Sequence, residues 1–230
     1  MTVDDGRGRE VLESGFRILR ALPDADEHRQ MSSLAELTSI PRSTVHRLLH
    51  QLHRNKAVDL RPDGRWTVSP HLLEITGHAQ PFATHRTDLN RIIQTLRDQT
   101  GATVSLVVPA RTSLVAIEMI PGRETLPIDA YTGIEMPDLT AAALVLDPKH
   151  QQPHRLRPFD AAVDDEDLLE GLSCYARRLT LPHGQRAALQ IATSTRVRAE
   201  NFAAHVQRAA NMIEGLTARN TRTGESSSGR

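Results

Sequence analysis

The stretch Ser33–Arg54, SLAELTSIPRSTVHRLLHQLHR, decides how the front of the chain is read. It predicts two short helices joined by a tight turn. Ser33 with Glu36 three residues on has the spacing of a capping box, and Leu34 and Leu37 give the first helix an apolar side. Ser39-Ile40-Pro41 interrupts the pattern, and Pro41 suits the first turn of a new helix, where its missing N–H has no partner to lose. In the second helix Val45, Leu48, Leu49 and Leu52 recur at i, i+3, i+4 and i+7, one narrow apolar stripe. Ser43, Arg47, His50 and Arg54 fall opposite, flanked by His46 and Gln51. No acid occurs between Pro41 and Arg54. A helix facing phosphates and base edges needs this mixture of cationic and hydrogen-bonding side chains.

Reading outward, Ala57–Leu60 and Arg65–Val68 each have a short β-like pattern. Arg61-Pro62-Asp63-Gly64 between them predicts a hairpin, because Asp-Gly accepts the positive φ that such turns need. Upstream, Leu12, Phe16, Leu19 and Leu22 mark a helix with Ile18 beside the stripe, after a polar lead over residues 1–10. It stops before the turn signal Pro23-Asp24. Three helices and a two-stranded hairpin make a winged helix-turn-helix, whose hairpin tip would set Arg61 and Arg65 beside phosphates. The candidate DNA contacts are therefore Ser33, Arg42, Ser43, Thr44, His46, Arg47, His50, Arg54, Arg61 and Arg65. Trp66 reads as a wing anchor.

Net charge is zero over 230 residues, but from Arg42 to Arg61 five Arg/Lys face one acid, Asp59. Only two of the 28 basic residues are lysines, a bias that fits a GC-rich genome as readily as phosphate recognition. No apolar run approaches ~20 residues, so no membrane span is expected. The N-terminus lacks an apolar signal region, and the single cysteine, Cys174, excludes an internal disulfide; both predict a cytoplasmic protein.

After a short helix at Pro70–Ile75 the composition shifts at Pro81. A helix from about Thr84 to Gln99 carries Leu89, Ile92, Ile93 and Leu96 on one face, with Gly101 as its C′ residue. Strand-like runs follow at Thr103–Val108, Leu114–Ile120 and Thr125–Ala130. Residues 132–165 are interrupted by Pro137, Pro148, Pro153 and Pro158. Leu172–Leu181 and Ala187–Thr193 predict a hairpin, and a helix from about Val197 to Thr217 closes the pattern. The fold class is α+β: an N-terminal winged helix-turn-helix (residues 11–70), a linker helix (71–83), an α+β domain with a mostly antiparallel sheet (84–218) and a disordered tail (219–230).

Other chemistry is weakly represented. His46 and His50 are spaced i, i+4 near His53, but without an acid or cysteine the zinc-protease motif is missing, so no metal is expected. Asp164-Asp165-Glu166-Asp167 reads as a solvated loop or helix start. Cys174 lies in an apolar β-run, the usual setting of a packing residue. No Ser/His/Asp, CxxC or phosphate-loop constellation is present, which predicts neither an enzyme nor a cofactor.

Leu34-Ala35-Glu36-Leu37, Ile40 to Leu49 and Asp63-Gly64-Arg65-Trp66-Thr67-Val68 resemble the DNA-binding domain of IclR-type transcriptional regulators. The resemblance covers roughly Val11 to Gln80. It continues more weakly into Leu96–Val108, similar to the entry of the family's GAF-like effector domain, and into Gly171–Ala176, similar to the segment lining the effector pocket. Ala143-Leu144-Val145 stand where family members usually carry a Gly-Lys pair. The resemblance implies a homodimer or homotetramer on palindromic double-stranded operator DNA, tuned by a small-molecule effector. It implies an effector pocket containing Leu106, Met119, Ala130, Thr140, Leu172, Cys174 and Ile191. The alternative is a winged-helix sensor or scaffold that binds protein, with a degenerate ligand domain.

Overall fold

The computed structural model describes residues 5–77, 86–147, 152–181 and 184–224. The chain divides into two compact units, Met1–Ala79 and Gln80–Arg230. The start of the expected 84–218 domain, Pro148, part of the 181–187 turn and residues 225–230 of the expected tail lie outside the described residues.

In the first unit α1 (Asp5–Ala21), α2 (Gln30–Thr38) and α3 (Arg42–Arg54) precede the hairpin of β1 (Val58–Leu60) and β2 (Trp66–Val68) and the short α4 (Leu72–Gly77). Ile18, Leu22, Leu34, Val45, Leu48, Leu49, Val58 and Trp66 form its core. Two details correct the sequence expectation. Leu12 and Phe16 on α1 and Leu37 on α2 are exposed. Val11, Leu12, Phe16, Ile18, Leu19 and Leu22 spread over a broad arc, and packing selects the line through Ile18 and Leu22. Helix α2 starts three residues before Ser33, so no capping box forms: Ser33 is buried within the helix, and its Oγ accepts the Asp26 N–H at 3.0 Å. Glu36 instead pairs with Arg29 at 3.4 Å.

The hairpin forms as predicted, with Gly64 at φ +83°. A contact not read from the sequence ties it down: the Gln30 side chain donates to Trp66 O and accepts from Trp66 N, both at 2.8 Å.

The second unit contains α5 (Arg86–Thr100), β3 (Thr103–Pro109), β4 (Leu114–Ile120), β5 (Glu135–Met136), α6 (Ala141–Leu146), β6 (Leu156–Arg157), β7 (Ala161–Asp165), β8 (Leu172–Thr180), β9 (Arg186–Ser194) and α7 (Ala203–Gly224). The seven strands form one antiparallel sheet in the order β5-β4-β3-β9-β8-β7-β6. Leu89, Ile93 and Leu96 of α5 and Val206, Ala210 and Ile213 of α7 share a core with Val104, Leu106, Leu189 and Ile191. Ala141, Ala142 and Leu146 of α6 pack with Val107, Cys174, Ala176, Ala188 and Ala192 in a second core.

The expected strand at Thr125–Ala130 does not form. The free edge of β4 is taken by residues 133–136: Ala116 N donates to Ile134 O at 3.0 Å, and Gly133 N to Ala116 O at 2.7 Å. Pro127 removes one of the donors a ladder needs. Helix α7 reaches Gly224, past the expected end near Thr217 and into the stretch expected as tail; no proline interrupts that segment.

The acidic run is a solvated loop only in its second half, where Glu166 and Asp167 are exposed beyond β7. Asp164 is 1% exposed in β7, with Oδ1 3.3 Å from Nη2 of the equally buried Arg155. Burial pushes its carboxyl up, and the Arg155 guanidinium opposes this. Arg155 also donates to Val163 O at 3.0 Å and Leu139 O at 2.9 Å, and its Nε lies 3.0 Å from Asp167 Oδ2.

Where α5 hands over to β3, Gly101 takes φ +71°, and Gly122 crosses beside it, donating to Thr103 Oγ1 at 2.9 Å. A Cβ at Gly122 would lie 2.6 Å from both Gly101 O and Thr103 N, backbone atoms that cannot swing aside. Gly122→Ala is expected to lower stability by about 1–3 kcal/mol, read as a drop in the urea midpoint at constant slope.

Candidate nucleic-acid interface and ligand cavity

Helix α3 buries Val45, Leu48 and Leu49 and exposes Arg42, Ser43, His46, Arg47, His50 and Arg54, with Thr44 half-buried in its first turn. Pro41 is the N-cap and contributes no side-chain cap; the Thr44 N–H donates to Pro41 O at 2.8 Å, which leaves those of Arg42 and Ser43 without an acceptor among the described residues. Arg42, Arg47 and Arg54 form no ion pair among the described residues, so their charge is not spent within the protein. The His46 and His50 Nε2 atoms lie 3.3 Å apart. The His50 and His53 rings meet the Trp66 ring edge-on at 5.2 and 5.6 Å, and His53 Nδ1 lies 2.9 Å from Val58 O. Trp66 therefore fastens the wing to α3. Among the described residues no cluster of three metal-ligating side chains occurs.

Two of the expected contacts stand apart. Ser33 faces the protein interior. Arg65 is held by its neighbours: its Nε lies 2.8 Å from Asp63 Oδ2, and Nη1 pairs with Glu27. The Arg65 backbone N–H, at 3.0 Å, and then its guanidinium hold the Asp63 carboxyl below its ordinary range. Arg61, on the other side of the turn, is exposed and outside that pairing.

The second unit contains a cavity of about 310 Å³. Its floor is the α6-side face of the sheet, where the register sets residues in transverse rows. Thr103, Ala192 and Cys174 form one row, and Met119, Ser105 and Gln190 the next. Ile128, Ile134, Met136, Pro137, Thr140, Leu168, Leu169 and Leu172 complete the walls, and the exposed Asp129 and Glu135 stand at the rim. Gln190 Oε1 accepts the Ala142 N–H at 2.8 Å, and Thr140 Oγ1 accepts that of Ala143 at 3.2 Å, so both cap α6. Burial drives the Cys174 thiol far above its ordinary pKa, so it stays protonated at neutral pH.

Of the seven expected effector residues, Met119, Thr140, Leu172 and Cys174 line this cavity. Leu106 and Ile191 do not: they are one residue out of step with Ser105 and Gln190 and point into the core against α5 and α7. Ala130 lies beside Asp129 but outside the lining. Ser105 and Gln190 were not anticipated. The available signal was a lone polar residue inside each of two apolar runs, VSLVV and ALQIA, which marks the face that is not solid core.

With both sites described, the relatives can be compared. Residues 11–62 match the family model of the IclR helix-turn-helix domain. The HTH-type transcriptional regulator TtgV of Pseudomonas putida is 26% identical over 141 residues, 59% of this chain and 52% of its own length. The chain thus spans about half of that curated relative. Among solved structures, IclR of Thermotoga maritima superimposes with a TM-score of 0.67 at 18% identity, covering 91% of this chain and 99% of that one. An IclR homologue of Microbacterium hydrocarbonoxydans, crystallised with 4-hydroxybenzoate, gives a TM-score of 0.71 at 15% identity, covering 89% and 98%. Residues 11–62 thus match an IclR-type helix-turn-helix domain, and the chain shares the fold of those solved structures.

Proposed function

We propose that this protein is a transcriptional regulator that binds palindromic operator DNA as a homodimer or homotetramer and answers to a small-molecule effector. The observation that carries the reading is the unpaired cationic face of α3, flanked by a wing that Trp66 and Gln30 hold in place. Arg47 and Arg42 can offer two parallel N–H donors to guanine O6 and N7, while Ser43, Thr44 and the free amides of the first turn suit phosphate. His46, His50 and Arg54 extend the same surface, and Arg61 reaches the backbone from the wing. Two copies would place two such helices on half-sites about one DNA turn (~34 Å) or a multiple apart. The exposed Val11, Leu12 and Phe16 of α1 offer apolar surface for that pairing.

The cavity is the site proposed for the effector. A ligand there alters DNA binding only by favouring one protomer arrangement over another. The single thiol is buried and protonated, so Cys174 is a packing and lining residue in this reading and no nucleophile.

Three measurements test these statements. In mobility-shift titrations against the region upstream of its own gene, Arg47→Ala should weaken specific binding by ~1–3 kcal/mol. Arg61→Ala should reduce the salt slope by ~1, and Arg65→Ala should leave it unchanged because that guanidinium already serves Asp63 and Glu27. No shift at low salt for the unmodified protein would refute the DNA reading. Leu12→Glu combined with Phe16→Glu should sediment as monomer and lose operator binding; an unchanged oligomer would remove α1 from the interface. Iodoacetamide at pH 8 should leave Cys174 unlabelled in the native protein and modify it after denaturation, whereas rapid native labelling would contradict its buried, protonated state.

A further inference from the structure

The cavity of the second unit is apolar and lacks any cationic lining residue among the described residues. Three further features exclude an anion. The nearest buried guanidinium, Arg155, is taken up by Val163 O, Leu139 O, Asp164 and Asp167. The helix N-terminus beside the cavity is spent, because its Ala142 and Ala143 amides are already capped by Gln190 Oε1 and Thr140 Oγ1. At the rim stand two carboxylates, Asp129 and Glu135, and no cation among the described residues. A buried carboxylate or phosphate would meet no compensating charge here and would lose its hydration unopposed.

What the cavity does offer is a pair of donors. Ser105 and Gln190 are 3% and 4% exposed and face each other in register across β3 and β9. The Gln190 Oε1 is committed to α6, which orients its Nε2 amino group. Neither that Nε2 nor the Ser105 hydroxyl has a hydrogen-bond partner among the described residues. Neither atom is among the described buried side-chain atoms that lack a partner, so both donors open onto the cavity space, where a single ligand oxygen can serve them together.

From this we infer that the ligand of this cavity is an uncharged, mainly apolar molecule with one oxygen acceptor, such as a small ketone, ether or alcohol, and not a carboxylic acid. The inference rests on the reading of the cavity as the effector site. The volume, near the lower end of ligand sites, sets the size. Ser105 and Gln190 Nε2 share the oxygen, and the side chains of Met119, Ile134, Met136 and Leu172 cover the apolar body.

The test compares three probes of one size by calorimetric titration of the full chain at pH 7: acetophenone, benzoate and benzylammonium. Acetophenone should bind at least tenfold more tightly than either ion. Ser105→Ala should weaken it roughly fivefold, and Gln190→Glu, which keeps the acceptor for Ala142 but removes the donor, should weaken it at least as much. Ala192→Phe, which fills the floor, should abolish binding. Benzoate or benzylammonium equalling acetophenone, with binding still lost in Ala192→Phe, would overturn the ligand class and leave the effector site standing. Undiminished affinity in both Ser105→Ala and Gln190→Glu would overturn the donor pair. Binding of no probe up to the solubility limit, or binding indifferent to Ala192→Phe, would overturn the effector-site reading itself.

Discussion

The second unit depends on its central strands being covered on both faces. All six residues from Thr103 to Val108 are buried, and alternate residues serve two different cores. Val104 and Leu106, with Leu189 and Ile191, meet α5 and α7; Ser105 and Val107, with Ala188, Gln190 and Ala192, face α6. A slip of one residue would exchange the two faces, so the register of β3 on β9 sets the composition of the cavity as well as the stability of the sheet. The faces differ in size. Leucine and isoleucine fill the side under the long helices, whereas alanine, serine and cysteine line the other, and a short helix of six residues cannot fill the space they leave.

This arrangement explains what the sequence disclosed and what it concealed. The winged helix was legible because α3 is amphipathic: half its surface is wet, so period and face coincide. Ser33 misled because a Ser-x-x-Glu pair has the spacing of a cap wherever it occurs, and here the helix had already begun at Gln30. Leu106 and Ile191, which the resemblance implies as pocket residues, lie outside the cavity, and the sequence carries no warning of it: a strand buried on both faces shows no alternation, so nothing in an apolar run reveals parity. The polar Ser105 and Gln190 broke those runs, and their common face became visible only once the register joined them. Asp164 misled for a different reason: four adjacent acids imply water unless a cation is known to lie behind them, and Arg155 is nine residues away in sequence.

Charge is distributed differently in the two units, which a net charge of zero conceals. In the second unit Arg155, Arg157, Arg177, Arg178 and Arg198 each lie within ion-pair distance of an acid. On α3 the arginines have no such partner among the described residues. Balanced composition is therefore no argument against a polyanionic partner: the acids that balance the count lie elsewhere in the chain, and the field over α3 is set locally, within the roughly 8–10 Å over which salt lets exposed charges act.

The Arg155–Asp164 pair connects these themes. Burying two charges is expensive, and an apolar pair of similar volume would often cost less. What such a pair could not supply is direction. The Arg155 guanidinium reaches Leu139 O on one segment and Asp164 and Asp167 on another, and Asp164 Oδ1 accepts the Leu168 N–H at 3.2 Å. Thr140 follows Leu139 directly, and Leu168 and Leu169 follow Asp167, so two walls of the cavity are set by one buried cation. Neither wall is held by the regular ladder of the sheet at those points. The lining is uncharged, yet its spacing is fixed by a charge pair one residue behind it, and that separation lets a cavity remain both apolar and well shaped.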